Sequence, residues 1–172
     1  PKYQSAAGGR KALFALDNLW DGIGGLIATD PTVKYLSGKV TIYCTSPEMS
    51  RKAMVYYLDM SFGDREGLIT SKNPETCTPE QAAFFKEMFT GADYKENYAI
   101  LNDYVKSLGD TIPPFIHLYI GLSPTMKTFG TTFDPDFGDC YDTAMIITAN
   151  DIYPDKYKRY VDSYAKCNVR KR

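Results

Sequence analysis

The sequence predicts an α/β (α+β) fold, and three observations carry that reading. Apolar residues recur at helical spacing in the opening segment, alternate with period two from Lys39, and return to helical spacing in the second half. Proline and glycine punctuate these segments at the points where one period gives way to the next. The composition, 44% hydrophobic and 24% charged over 172 residues, supplies one packed core and argues against a disordered chain. Helix, strand, helices, two strands and a closing helix make a mixed-layer pattern.

The opening helix spans Arg10 to Thr29, with Leu13, Leu16, Trp20, Ile23 and Ile27 on one face and Trp20 expected in the core. Asp30-Pro31 ends it, because the proline ring disfavours helical geometry in the preceding residue. Lys39 to Thr45 reads as a strand, with Val40, Ile42 and Cys44 on one side and Thr41 and Tyr43 on the other. Ser46-Pro47-Glu48 starts a second helix through a hydroxyl, a first-turn proline and a carboxylate near the positive helix end, and Gly63 stops it.

Residues 63–78 form a polar, turn-rich loop, after which Thr78-Pro79-Glu80-Gln81 is a capping box that opens a helix through Phe89. A further helix is expected from about Asp93 to Leu108 with Gly109 as its stop, and a short apolar helix from Phe115 to Leu122 behind Pro113-Pro114. Residues 125–132 and 142–149 read as strands around the Asp134-Pro135-Asp136-Phe137-Gly138 loop. An amphipathic helix from Pro154 to Lys166 precedes the basic tail Arg170-Lys171-Arg172. The length favours one domain, 1–172, with 63–111 a mostly helical insertion.

The charge balance excludes some functions. A net charge of -1 leaves no basic field for nucleic acid, and no apolar run approaches the roughly 20 residues of a membrane span. Cys44, Cys77, Cys140 and Cys167 are dispersed and His117 is the single histidine, so neither a zinc site nor a disulfide framework is expected. Reduced thiols in a cytoplasmic protein fit this usage. His117, between Ile116 and Leu118, reads as a partly buried side chain. Asp134, Asp136 and Asp139 lack the glycine and distal glutamate of a calcium loop and read as turn formers. The basic tail offers weak attraction to anionic lipid or an acidic carrier protein, which leaves peripheral membrane contact open.

The N-terminal segment Gln4-Ser5-Ala6-Ala7-Gly8-Gly9-Arg10-Lys11 runs straight into the first helix. Small residues allow close backbone approach, first-turn amides lack internal partners, and two cations add charge, a combination suited to a phosphate. It is neither a P-loop nor a dinucleotide fingerprint. The same residues also suit a small-residue N-terminus that caps a helix.

Tyr3-Gln4 followed by this small-residue loop and a long helix resembles the acyl-donor pyrophosphate loop of the GNAT acyltransferase superfamily. Phe14 to Gly24 and Tyr35-Leu36-Ser37-Gly38-Lys39-Val40 resemble its bacterial branch of hemolysin-like, ornithine-lipid and glycine-lipid N-acyltransferases. Ile112-Pro113-Pro114, Tyr119, Leu122 to Thr131 and Phe133 to Gly138 agree with that branch in order and spacing, and the likeness is weakest between Gly63 and Gly91. The resemblance implies a GNAT-like fold and transfer of a fatty acyl group from acyl-carrier protein or acyl-CoA phosphopantetheine to a small amine, with an amino acid as the expected acceptor and no permanently bound cofactor. It implies strands upstream of the loop and a glutamate base on the last of them, so the base is expected before Pro1. It also implies a phenol that protonates the leaving thiolate, for which Tyr56 or Tyr57 on the second helix and Tyr43 on the strand are candidates. The alternative is a non-catalytic donor-binding module. The segment from Ser123 to Gly130, with Leu122, Met126 and Phe129, is a candidate wall for the acyl chain, although core packing accounts for the same residues.

Overall fold

In the computed structural model, residues 10–164 are described, with side chains from Leu19 onward. The fold is α+β, with helices α1 (Arg10–Thr29), α2 (Glu48–Phe62), α3 (Pro79–Met88), α4 (Tyr94–Ser107), α5 (Pro114–Ile120) and α6 (Pro154–Tyr157). Strands β1 (Tyr35–Tyr43), β2 (Lys127–Asp134) and β3 (Cys140–Thr148) form one sheet in the order β1-β3-β2. The last strand in sequence is therefore the central one. The chain divides into two compact units, 37–147 and one that joins 1–36 to 148–172.

In the second of these units, α1 packs on the C-terminal helix, and a glycine pair sets the distance. A side chain at Gly24 would stand 2.3 Å from the carbonyl oxygen of Tyr160, and one at Gly25 would stand 3.0 Å from the Tyr164 ring. The partner of Gly24 belongs to a π-helical turn, Lys158–Asp162, that interrupts the regular helix predicted from Pro154. Trp20 is 7% exposed, as its position on the apolar face predicts.

The 37–147 unit is organised around α2. This helix packs on β2, α4 and α3, so Ala53, Met54, Tyr57 and Leu58 are all buried. Rings from three helices pack together on its outer side. Tyr56 stacks on Phe89 at 5.9 Å, Tyr57 meets Tyr98 at 6.0 Å, and Phe85 meets Tyr104 at 6.2 Å. The predicted capping box at Thr78 is formed in both directions, with Gln81 N donating to Thr78 Oγ1 at 3.2 Å and Thr78 N donating to Gln81 Oε1 at 3.0 Å. Asp93 caps α4 by accepting from Lys95 and Glu96 amides at 2.8 and 2.9 Å.

β1 starts four residues before the predicted Lys39, and Cys44 lies exposed beyond its end. Tyr35 is 61% exposed, so the first half of the strand has no buried alternate face to show as apolar periodicity. Val40 and Ile42 are buried as expected. β1 is tied to β3 through Asp142, which accepts from the Lys39 ammonium and, at 2.6 Å, from the Thr41 hydroxyl. The Lys39 ammonium also lies 4.2 Å from the centre of the Phe137 ring.

β2 and β3 are antiparallel, with Thr128 opposite Met145 and Thr131 opposite Thr143. Two residues of β2 thus face one of β3, a bulge, and Gly130 within it takes φ +79°. Residues three apart on a regular strand face opposite ways, and the extra residue brings Thr128 and Thr131 to the same face. The outer edge of β2 is covered by the preceding loop, where Asp64 N donates to Thr128 O at 2.8 Å and Glu75 N to Thr131 O at 2.7 Å.

The hydrogen bond to Asp142 raises the pKa of Lys39 above its ordinary value, so folding favours the ammonium. Stabilisation from this group is fully present below the unfolded lysine value and is lost as pH rises through the higher folded one. The stability difference between the protein and a Lys39→Met variant should be flat from pH 7 to about 9.5 and shrink above about 10.5 in urea titrations. A difference independent of pH over that range would show that Lys39 acts by packing alone.

Candidate active-site cavity

A cavity of about 350 Å³ lies between α2, residues 74–77 of the loop and the bulged face of β2 and β3. Its wall includes Val55, Tyr56, Leu58 and Asp59 of α2, Cys77, Ala82, Thr128, Thr131 and Thr143. The loop is held there by charge. Lys52 of α2 is 9% exposed, and its ammonium pairs with Glu75 Oε1 at 2.8 Å and donates to the Thr76 carbonyl. Arg51 reaches the same carboxylate at 3.3 Å while its guanidinium lies 4.1 Å from the centre of the Tyr141 ring on β3. Cys77 closes the loop by donating to the Lys52 carbonyl at 3.7 Å, and burial pushes its thiol pKa up.

The wall is less polar than its composition suggests. Thr131 and Thr143 bond hydroxyl to hydroxyl at 2.7 Å, and Thr128 donates to the Leu58 carbonyl at 3.3 Å. Asp59, 64% exposed at its side chain, belongs to the solvent side, where it lies 3.7 Å from Arg65.

The three candidate phenols are separated by the structure. Tyr56 is in the cavity wall. Tyr57 is fully buried, its hydroxyl donates to the Tyr94 carbonyl at 2.8 Å, and burial drives its pKa far upward. Tyr43 is 63% exposed at the end of β1, away from the cavity-lining residues. The predicted donor loop Gln4, Ser5, Ala6, Ala7, Gly8 and Gly9 lies outside the described residues, and Arg10 and Lys11 form the first turn of α1.

One sequence expectation is corrected, and another falls to the alternative given with it, core packing. His117 is exposed beside the Tyr98 ring at 5.6 Å rather than partly buried, its side chain turned about 100° round α5 from the buried Ile116. Leu122, Met126 and Phe129 lie in the core, and the bulge turns Thr128, Gly130 and Thr131 toward the cavity instead. Glu75, Cys77 and Ala82 are wall or anchor residues that sequence reasoning passed over. A glutamate and a cysteine in a polar loop are unremarkable until the loop is seen against β2.

No protein-family profile matches the chain, and no solved structure matches it. Two curated proteins do. The chain is 42% identical over 165 residues to a protein of Phocaeicola vulgatus named Glycine N(alpha)-acyltransferase, covering 96% of this chain and 50% of that protein. It is 42% identical over 166 residues to a protein of the same name from Bacteroides thetaiotaomicron, covering 95% of this chain and 48% of that one. The chain therefore spans about half the length of these relatives. No described helix is long and apolar enough to cross a membrane.

Glu75→Gln leaves the Lys52 charge without its counter-ion. The variant should lose on the order of 3 kcal/mol of stability, read as a lower urea midpoint at unchanged slope. Cys77 should then react faster with iodoacetamide, because the segment that shields it is released. An unchanged midpoint and an unchanged Cys77 rate would show that hydrogen bonds to β2 hold the loop without the ion pair.

Proposed function

We propose that the chain contributes to an N-acyltransferase of the GNAT type, which moves a fatty acyl group from acyl-CoA or acyl-carrier protein to the amine of a small acceptor. Glycine is the favoured acceptor, giving an N-acyl amino acid that serves lipid synthesis. The observation that carries this reading is the 42% identity, over 96% of the chain, to a protein named Glycine N(alpha)-acyltransferase. The wall of the cavity supports it by combining an apolar lining with a phenol, Tyr56.

The reaction breaks the thioester C–S bond and forms an amide C–N bond. An acceptor ammonium gives up two protons, of which the leaving thiolate takes one and solvent the other. Each step makes a physical demand. The donor phosphates need amides and cations, which the Gln4–Lys11 segment would supply at the start of α1. The thioester oxygen, negative in the transition state, needs a hydrogen-bond donor. The ammonium needs a base, which the proposal places on the part of the protein before Pro1. The thiolate needs a proton, and Tyr56 is the phenol proposed to deliver it. Tyr57 has its hydroxyl committed to Tyr94, and its role is structural in this proposal.

The test is release of free thiol from acyl-CoA or acyl-carrier protein on addition of glycine, followed for wild type and three variants. Tyr56→Phe should lower kcat about 100-fold with little change in donor KM. Tyr57→Phe should cost about 1 kcal/mol of stability while leaving kcat within a few-fold. Gly8→Asp should raise donor KM strongly, since it sets a carboxylate against the donor phosphate. Absence of thiol release with glycine and with other small amines would refute the acyltransferase reading. Equal kcat for wild type and Tyr56→Phe would remove Tyr56 from it.

A further inference from the structure

We propose that the cavity between α2 and β2 holds the hydrocarbon tail of the acyl donor, and that Ala82 limits the chain length it accepts. This deepens the acyltransferase reading and rests on it for the identity of the ligand.

The argument begins with what the cavity lacks. A zwitterionic amino acid needs several unpaired polar groups in its site, and apart from the Tyr56 hydroxyl the polar side chains of this wall already have partners. The Thr131 and Thr143 hydroxyls are bonded to each other, and the Thr128 hydroxyl donates to the Leu58 carbonyl. Glu75 is neutralised by two cations, Lys52 and Arg51. Asp59 is engaged with solvent and Arg65. The rest of the lining includes the apolar residues Val55, Leu58, Pro74 and Ala82 together with Tyr56. Such a surface attracts apolar groups, because filling it removes apolar area from water.

Size points the same way. Glycine would leave most of 350 Å³ empty. A methylene is close to a water molecule in size, about 30 Å³, so the space accommodates on the order of ten to twelve chain carbons. Longer chains would extend beyond the cavity.

Ala82 is the adjustable part of this wall. It lies in the first turns of α3, on a helix held by the Thr78 capping box. A larger side chain there meets the cavity, and the half-exposed position lets a larger residue be tolerated by the fold. Ala83, the next residue, is exposed and outside the wall, so it provides a matched control.

Two readouts test the proposal on the purified protein. In the first, saturated fatty acids of six to eighteen carbons displace the fluorescent probe cis-parinaric acid. Wild type and Ala83→Phe should show the same optimum, and Ala82→Phe should move it about three to four carbons shorter, since the added ring takes up the volume of that many methylenes. In the second, the native thiols report occupancy directly. Bound fatty acid should slow alkylation of Cys77, which lines the cavity, by at least tenfold, and leave that of the exposed Cys44 unchanged. Displacement with no Cys77 protection at any chain length would overturn the proposal, as would an optimum that Ala82→Phe does not move. The second readout stands even if Ala82→Phe fails to fold. Thiol release from octanoyl-CoA and palmitoyl-CoA with glycine, measured in parallel, separates the two readings. Transfer without Cys77 protection removes the cavity assignment and keeps the acyltransferase. Protection without transfer keeps an apolar-chain site and removes the acyltransferase.

Discussion

Lys52 is an ammonium set in the middle of a helix that is covered by a sheet on one side and helices on the other. A charge in that position is tolerated only when an opposite charge and hydrogen-bond acceptors meet it inside the protein. Residues 75–76 supply both, through the Glu75 carboxylate and the Thr76 carbonyl. The constraint then propagates. A segment obliged to face Lys52 also runs along the outer edge of β2, where the Glu75 amide completes a bond to Thr131. The cavity is the space left between that segment, the helix and the strand, so its existence depends on where one cation is buried.

Arg51 extends this arrangement to the sheet. Its guanidinium shares the Glu75 carboxylate and lies against the Tyr141 ring of the central strand. Helix, loop and strand are thus joined through a single acidic residue. Two cations on one carboxylate leave no free negative charge on the wall at that end, so nothing there would hold an acceptor ammonium.

Much of the fold was legible because its signals are local. The helix bounds at Thr29, Glu48 and Phe62 and the capping box at Thr78 follow from proline, glycine and hydroxyl signals within a few residues, although at the start of α2 the proline stands as N-cap and no hydroxyl caps it. The features that escaped are those set by distant partners. β1 begins among exposed residues such as Tyr35, whose pairing is decided by β3 about a hundred positions later. Strict alternation would set Thr128 and Thr131 on opposite faces of β2, and the bulge at Gly130 brings both to the cavity. The π-helical turn after Tyr157 accompanies a close approach of α1 at Gly24, and nothing in residues 154–164 alone encodes it. For the site, Tyr56 and Tyr57 were indistinguishable in sequence, and Glu75 carried no signal at all, because its meaning lies in Lys52.

The adjacency of Tyr56 and Tyr57 shows how that constraint reaches the chemistry. Successive helical residues are about 100° apart, so two neighbouring phenols cannot serve the same surface. Residues three and four apart share a face, which puts Lys52, Val55, Tyr56 and Asp59 on one stripe. Three of these line the cavity, and the fourth holds the loop that closes it. Ala53 and Tyr57 lie on the neighbouring stripe and are wholly buried, with the Tyr57 hydroxyl bonded to α4. Rotating α2 enough to exchange the two tyrosines would carry Lys52 away from Glu75 and bring a polar face into the aromatic packing. The ion pair at one end of the stripe therefore decides which phenol, four residues on, is presented to a ligand.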